Sequence, residues 1–182
     1  RDPQGRGGFG MIQECRRQWA LEGARLSWDE IVGLARAAKP FACVIDVDDP
    51  DFARPGDMPA RIVAYAKRTN QNPPADRGEV ARTVFESIAL KYRRVLEMTE
   101  QLTRQKNDAL NIVGGGTQNR LLSQFAANAI ARPVITGPIE ATAAGNILMQ
   151  MLATGAITPL TEGRAVIRRS FPVETFEPQD TA

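Results

Sequence analysis

The sequence contains no histidine among its 182 residues. This absence excludes Ser-His-Asp and Cys-His catalytic pairs, histidine-ligated zinc and haem, and any imidazole general base. Cysteine is nearly as scarce, since Cys15 and Cys43 are too few for an all-cysteine metal site or a disulfide framework. Many hydrolase and metalloprotein classes are therefore excluded, and the cysteine usage favours a reducing, cytoplasmic location.

Long apolar runs and a large charge excess are also missing. No stretch approaches the roughly 18 continuous apolar residues of a membrane-spanning helix, and residues 1–8 lack the apolar core of a signal peptide. The net charge of +2 is too small to indicate a nucleic-acid partner. We therefore expect no membrane and no nucleic-acid partner, and one folded domain over residues 1–182. Because no initiator Met is present, we expect a partial or processed chain.

Helical signals dominate the first hundred residues. The apolar spacing predicts four helices, over residues 11–21, 28–39, 59–69 and 77–105. Ser27 with Glu30, and Asp76 with Glu79, have the spacing of capping boxes, which predicts where two of these helices begin. Residues 41–47 are apolar and partly β-branched, which predicts an extended segment or a strand.

The predicted helix faces identify a candidate core. On the second helix, Ile31, Leu34 and Ala35 share one face. On the third, the candidate buried positions are Ile62, Val63 and Tyr65. On the fourth, the apolar face is formed by Val80, Val84, Ile88, Tyr92, Val95, Thr99 and Leu102. The remaining surface of that helix is predicted to be solvated and carries Arg82, Glu86, Arg93, Arg94 and Glu97.

The last third alternates strands and helices. We predict strands over 109–113 and 134–136, helices over 118–131 and 140–154, and Gly155 as the residue that ends the second helix. This alternation is typical of an α/β fold. The glycine triplet 114–116 follows the first strand, so the backbone there is open to a ligand and a helix N-terminus follows. A tight structural turn is the alternative interpretation of the triplet.

Two other possible ligand-binding motifs are ruled out by the residues around or within them. Residues 5–10 match the dinucleotide pattern Gly-x-Gly-x-x-Gly, but only four residues precede them, so no strand can feed the turn. The aspartates around Asp46 invite a calcium loop, but Pro50 and Asp51 occupy positions five and six, where the loop needs an acidic ligand and a glycine. A solvated Asp-Pro turn is the better interpretation.

Residues 112–124, IVGGGTQNRLLSQ, and 132–146, RPVITGPIEATAAGN, resemble the adenosine-binding segment and the following helix of the FGGY carbohydrate kinases. Four shorter stretches are similar to the rhamnulokinase subfamily in particular. They are QECRRQW (13–19), PDF (50–52), PGDMPARI (55–62) and ESIALKYRR (86–94). The resemblance extends over about residues 11–178.

The resemblance implies a partial C-terminal lobe of the actin-like, ribonuclease H-like ATPases, with helical insertions. Subfamily members transfer the γ-phosphoryl group of ATP, with Mg²⁺ on the phosphates, to the 1-hydroxyl of the small-molecule sugar L-rhamnulose in L-rhamnose breakdown. The sugar and the catalytic carboxylate belong to the part of the protein that precedes the matched region. No residue of this chain is therefore expected to be catalytic, and the sheet is expected to have an uncovered edge.

Carried over by position, Gly115 and Gln13 match places where the family contacts ATP. Gly114, Gly116 and Asn119 belong to the same loop. We expect this glycine turn, Gly115 included, to use backbone angles that suit glycine. A ligand-contacting asparagine of the family is absent, because its place falls at Gly5.

Two alternatives remain open at this point. The chain is a kinase lobe for another sugar, since the glycine loop does not contact the acceptor, or it is a non-catalytic module that uses its long helix as an interaction surface.

Overall fold

The structure is a computed structural model and describes residues 9–179. The described residues form two compact units that meet in the chain between Leu102 and Thr103. The first unit contains α1 (Phe9–Leu21), α2 (Trp28–Ala37), a 3-10 turn (Pro50–Phe52), α3 (Met58–Arg68) and α4 (Arg77–Thr103). The second contains β1 (Leu110–Ile112), a 3-10 turn (Gly115–Gln118), α5 (Arg120–Ile130), β2 (Val134–Thr136), α6 (Ala141–Ala153), α7 (Leu160–Ser170) and β3 (Glu174–Phe176).

The capping box at Ser27 is confirmed in full, whereas at Asp76 the side-chain cap is confirmed but the reciprocal bond of Glu79 goes to Ala75 instead of Asp76. The Ser27 hydroxyl accepts a hydrogen bond from the Glu30 amide at 3.2 Å, and the Glu30 carboxylate accepts one from the Ser27 amide at 2.7 Å. The Ser27 amide and the Ser27 hydroxyl both donate to the Glu30 carboxylate, which lowers the pKa of Glu30 below its usual value. At α4, Asp76 accepts from the Glu79 amide at 2.9 Å, while the Glu79 carboxylate accepts from the Ala75 amide at 2.8 Å. Each cap satisfies a first-turn amide, that of Glu30 or of Glu79, which the helix start would otherwise leave unpaired.

The core of the first unit is formed by one face of each helix. α1 packs on α3, and both present fully buried side chains to the interior. The core side chains of α1 to α3 are Met11, Ile12, Cys15, Trp19, Ile31, Ala35, Met58, Ile62 and Ala66. Three predicted core residues are less buried than expected, since Val63 and Tyr65 are only half-buried and Leu34 is 41 % exposed.

Residues 41–47 form no strand, although Cys43 and Ile45 are buried. Side chains from elsewhere in the unit accept the hydrogen bonds of this segment's amides, which a neighbouring strand would otherwise supply. The amides of Phe41, Val44, Ile45 and Asp46 donate to the side chains of Glu86, Gln71, Ser87 and Tyr65, over 2.8–3.1 Å. The strand alternative is therefore wrong for these residues, which form an irregular segment with turns at Phe41 and Val47.

The predicted apolar face of α4 is buried only along its first half. Val80, Val84 and Ile88 lie in the core, whereas Val95 and Leu102 are 48 % and 84 % exposed. Between the buried and the exposed half of α4, Lys91 forms an ion pair with Asp48. The apolar periodicity predicted the correct face of α4, but the other elements of the first unit cover only the first half of that face.

Glu86 and Arg82 do not belong to a solvated surface, which corrects the sequence prediction. Their side chains are 4 % and 13 % exposed, and the Arg82 Nε to Glu86 Oε1 distance is 2.7 Å. The Arg82 guanidinium also donates to backbone carbonyls at the end of α2, which belong to Ala35 (3.3 Å), Arg36 (3.2 Å) and Ala38 (2.9 Å). The pair is buried because α2 and residues 41–46 pack over this side of α4.

The second unit is built on a three-stranded sheet in the order β1-β2-β3. β1 and β2 run parallel with Leu110 opposite Val134, and β3 is antiparallel to β2 with Phe176 opposite Val134. α5 packs on β2 and β3 through a face that includes Leu122 and Ala126. The predicted limits of β2 and the role of Gly155, at φ +72°, are confirmed. The mixed α/β class is confirmed as well, in a mostly helical form with β1 at one edge of the described sheet.

A glycine in the first turn of α4 gives a first testable prediction. A Cβ on Gly78 would lie 2.8 Å from the backbone oxygen of Leu34, so α2 and α4 would have to move apart. We expect Gly78→Ala to lower the free energy of unfolding by about 1–3 kcal/mol, as overpacking does. Urea unfolding followed by circular dichroism measures the change.

The matched control is Gly33→Ala on α2, because a Cβ there meets no atom within 4 Å. Alanine restricts the unfolded chain and favours helix, so we expect a gain of about 0.5–1 kcal/mol. Equal stability changes for both variants would contradict the close approach at Gly78.

Candidate functional site

The loops that follow β1 and β2 lie side by side at the carboxyl ends of these parallel strands. The Gly114 amide donates to the Pro138 carbonyl at 3.0 Å, and the Gly137 amide donates to the Ile112 carbonyl at 2.7 Å. In open α/β sheets, ligands bind outside the carboxyl ends of the strands. The sheet therefore brings the two resembling segments, 112–124 and 132–146, together where a ligand site is expected.

Gly114 is the glycine of the triplet that needs its conformational freedom. Its φ of +82° lies in the left-handed region, which other residues rarely adopt. Its carbonyl accepts two hydrogen bonds from Thr117, from the amide at 3.1 Å and from the hydroxyl at 2.8 Å. Gly114 is thus the structural bend of the loop, rather than its most open point.

Gly115 is the open point of the loop. It is exposed, and a Cβ built on it meets no atom within 4 Å. Its φ lies outside the left-handed region, so our expectation that Gly115 uses glycine-specific angles is wrong. The space in front of Gly115 is what a bound group would occupy, and it is not required by the fold.

Gly116 and Asn119 complete the loop in different ways. The carbonyl of Gly116 accepts from the Asn119 amide at 3.3 Å. The Asn119 side-chain oxygen accepts from the Leu122 amide at 3.0 Å and caps α5. Within the described residues, the amides of Gly115 and Gly116 have no acceptor, as expected for the first amides of a 3-10 turn. Asn119 therefore has a structural role, and the two glycine amides remain available as donors.

Gln13 lies on α1 in the first unit, where it is exposed. It lines an open groove of about 720 Å³ whose other walls include Arg16, Arg25 and Trp28. The Arg16 guanidinium stacks over the Trp28 ring at 4.9 Å and donates to the Leu26 carbonyl at 2.8 Å. Gln13 is thus available to a ligand, and its joint use with the glycine loop of the second unit stays a prediction.

The described residues offer no metal centre and no activated thiol. No group of three or more Cys, Asp or Glu side chains in residues 9–179 is placed to hold a metal ion. Burial raises the pKa of the Cys15 thiol far above its usual value, with smaller contributions from Asp57 and Glu14. Burial also raises the pKa of Cys43. Gly5, where the family asparagine is replaced, lies outside the described residues.

Thr117 is a loop residue whose role was not predicted from the sequence. The structure gives it two bonds to the Gly114 carbonyl, the pattern of a hydroxyl that fixes its own turn. The signal was present in the sequence, since a threonine three residues after a turn glycine has the spacing for this bond.

A family model now decides the assignment, because the C-terminal domain of the FGGY family of carbohydrate kinases matches residues 9–154. The chain belongs to this family. The predicted family is thus confirmed, and kinases of the family use ATP.

Individual relatives agree with the family assignment. The chain is 41 % identical to a rhamnulokinase of Bacteroides thetaiotaomicron over 177 residues, covering 94 % of this chain and 36 % of that protein. A rhamnulokinase of Enterococcus faecalis is 40 % identical over 172 residues, covering 93 % and 34 %. The chain therefore spans about a third of the length of these relatives.

Solved structures agree on the fold. A xylulose kinase from Rhodospirillum rubrum superposes with a TM-score of 0.63 at 16 % identity, over 94 % of this chain and 34 % of that one. A Plasmodium falciparum glycerol kinase solved with ADP gives 0.60 at 19 % identity, over 91 % and 33 %. The predicted kinase-lobe fold is confirmed. Among the described residues, none of the helices has both the length and the apolar character needed to cross a membrane.

Proposed function

We propose that residues 1–182 act as one domain, the ATP-binding lobe of a cytoplasmic rhamnulokinase. The whole enzyme would transfer the γ-phosphoryl group of ATP to the 1-hydroxyl of L-rhamnulose in L-rhamnose breakdown. Support comes from the 40–41 % identity to two rhamnulokinases across almost the full chain. The sugar partner would be bound through the part of those relatives that this chain does not cover.

The observation that carries the nucleotide assignment is the open backbone at Gly115. An exposed glycine with no atom near its Cβ position, at the carboxyl ends of two parallel strands, suits close approach of a flat adenosine group. The acceptor-free amides of Gly115 and Gly116 provide donors for polar atoms of the nucleotide. We propose Gly114 and Asn119 as the residues that hold this loop, and Gln13 as a further ATP contact.

When bound, ATP with Mg²⁺ supplies the phosphoryl group and the charge neutralisation that this transfer needs. Mg²⁺ bound to phosphates needs few protein ligands, so we propose that it arrives on the nucleotide. The residues of this chain bind and orient the nucleotide, and none of them is proposed as the base. Orientation is itself a large part of catalysis in phosphoryl transfer.

A kinase lobe for another sugar remains the second candidate, favoured by the superposition on a xylulose kinase. The loop around Gly115 does not distinguish acceptors, so phosphorylation assays of the longer enzyme with several ketoses separate the two. A non-catalytic interaction module is a third candidate, and the exposed half of α4 is the observation that favours it. Such a module would bind no ATP.

We expect the purified 182-residue chain to bind ATP but not to phosphorylate L-rhamnulose, because the base and half of the cleft are outside it. Isothermal titration with ATP and Mg²⁺ measures the first result, and a coupled ADP-release assay measures the second. A Gly115→Val preparation purified in parallel controls for contaminating kinases, since a contaminant gives the same turnover in both. Turnover by the wild-type chain, absent from Gly115→Val, would contradict the expectation that the catalytic base lies outside these 182 residues. A lack of ATP binding would favour the interaction module.

A further inference from the structure

Thr117 follows the glycine triplet in the chain and is bonded to the bend of the loop at Gly114. Its hydroxyl and its amide both donate to the Gly114 carbonyl, at 2.8 Å and 3.1 Å. The backbone of Gly114 is also tied on its other side, where its amide donates to the Pro138 carbonyl at 3.0 Å. The bend is thus fixed from within the loop and from the neighbouring loop after β2.

These three bonds restrain the residues on both sides of the next two amides. Gly115 and Gly116 lie between the bonded residues Gly114 and Thr117, and they have no side chains that could hold them in place. Glycine loses more conformational freedom on ordering than any other residue. A loop of three glycines therefore needs an external restraint if its amides are to point at a ligand before the ligand arrives.

We propose that Thr117 is a positioning residue for the nucleotide, which rests on the proposed function. Its hydroxyl keeps the Gly114 bend closed, so that the amides of Gly115 and Gly116 are already oriented when ATP binds. The side chain acts through the loop and does not contact the nucleotide. Pre-orientation raises affinity because the loop is ordered before binding rather than during it.

The test compares Thr117→Val with Thr117→Ser in the 182-residue chain. Valine keeps the β-branched shape and removes the hydroxyl, whereas serine keeps the hydroxyl. One hydrogen bond of this kind contributes enough for a change of about five- to tenfold in affinity. We expect the Kd for Mg-ATP to rise by about that factor in Thr117→Val, and to stay within about twofold of wild type in Thr117→Ser.

A measurement without nucleotide separates positioning from contact. We expect ¹⁵N order parameters of Gly115 and Gly116 to fall in free Thr117→Val and to keep wild-type values in Thr117→Ser, with equal thermal unfolding midpoints. A weaker Kd in Thr117→Val with unchanged order parameters would indicate direct contact and overturn the positioning role. An unchanged Kd in that variant, beside normal binding by wild type, would overturn this inference alone. A wild-type chain that binds no ATP would overturn the proposed function and this inference with it.

Discussion

Gly115→Val is expected to weaken ATP binding by tenfold or more while leaving the chain folded. A valine side chain would fill the space in front of Gly115, where no atom of the chain lies within 4 Å of the Cβ position. The φ angle of Gly115 is outside the left-handed region, so the new side chain causes no backbone strain there. The substitution is therefore directed at the ligand and not at the fold. Isothermal titration with Mg-ATP measures the loss, and circular dichroism with thermal unfolding checks the fold.

Gly114→Ala is the informative companion variant. Its φ of +82° is costly for alanine, so we expect a loss of about 1 kcal/mol or more in stability, in contrast to Gly115→Val. In the longer enzyme, sugar binding without nucleotide is expected to change far less than ATP binding in Gly115→Val. If folded Gly115→Val binds ATP as tightly as wild type, the glycine loop is a structural turn and the nucleotide assignment is wrong.

Glu86→Ala is expected to lower the free energy of unfolding by about 3–5 kcal/mol, the usual cost of removing one partner of a buried ion pair. The loss leaves the Arg82 guanidinium, which is 13 % exposed, without its carboxylate. It also removes the acceptor of the Phe41 amide, which donates to Glu86 Oε2 at 2.8 Å. Denaturant unfolding monitored by circular dichroism measures the effect.

α4 provides its own matched control, Glu97→Ala. Arg93 and Glu97 repeat the same i,i+4 spacing and the same 2.7 Å distance from Nε to Oε1, but their side chains are 57 % and 52 % exposed. Exposed pairs of this kind contribute about 0.3–0.5 kcal/mol. A loss as small in Glu86→Ala as in Glu97→Ala would show that burial does not determine the contribution of the inner pair.

Several features of this protein were determined by short stretches of sequence. Examples are the capping box at Ser27, the side-chain cap at Asp76, the limits of β2 and the stop of α6 just before Gly155. Each depends on residues a few positions apart. Caps, turns and strand runs act between chain neighbours, so their signals survive without knowledge of the rest of the fold. The glycine loop was recognisable for the same reason, because the glycine triplet lies directly between a strand and a helix.

For the long helix α4, the local sequence pattern does not predict which residues are buried along its whole length. The periodicity along α4 gave the correct face, but Glu86 on the opposite side is buried and Leu102 on the apolar side is exposed. The elements that cover a helix can be far away in the chain. Here α2 and residues 41–46 cover the side of α4 that carries Glu86, and Phe41 is more than 40 positions from Glu86. The sequence of one helix does not indicate how far the elements that pack against it extend along it.

In residues 41–47 and in the glycine loop, too, the sequence predicts the type of segment and tertiary contacts determine its details. The apolar pattern of residues 41–47 indicates extended backbone, but only the tertiary structure decided that side chains such as Gln71 and Ser87 accept its amide hydrogen bonds. The triplet indicated glycine-specific backbone, but the bond from Gly114 to Pro138 of the next loop placed the positive φ at Gly114 and left Gly115 open. The sequence thus determined that a glycine loop follows β1, and contacts between distant segments decided which of its residues bends and which stays open.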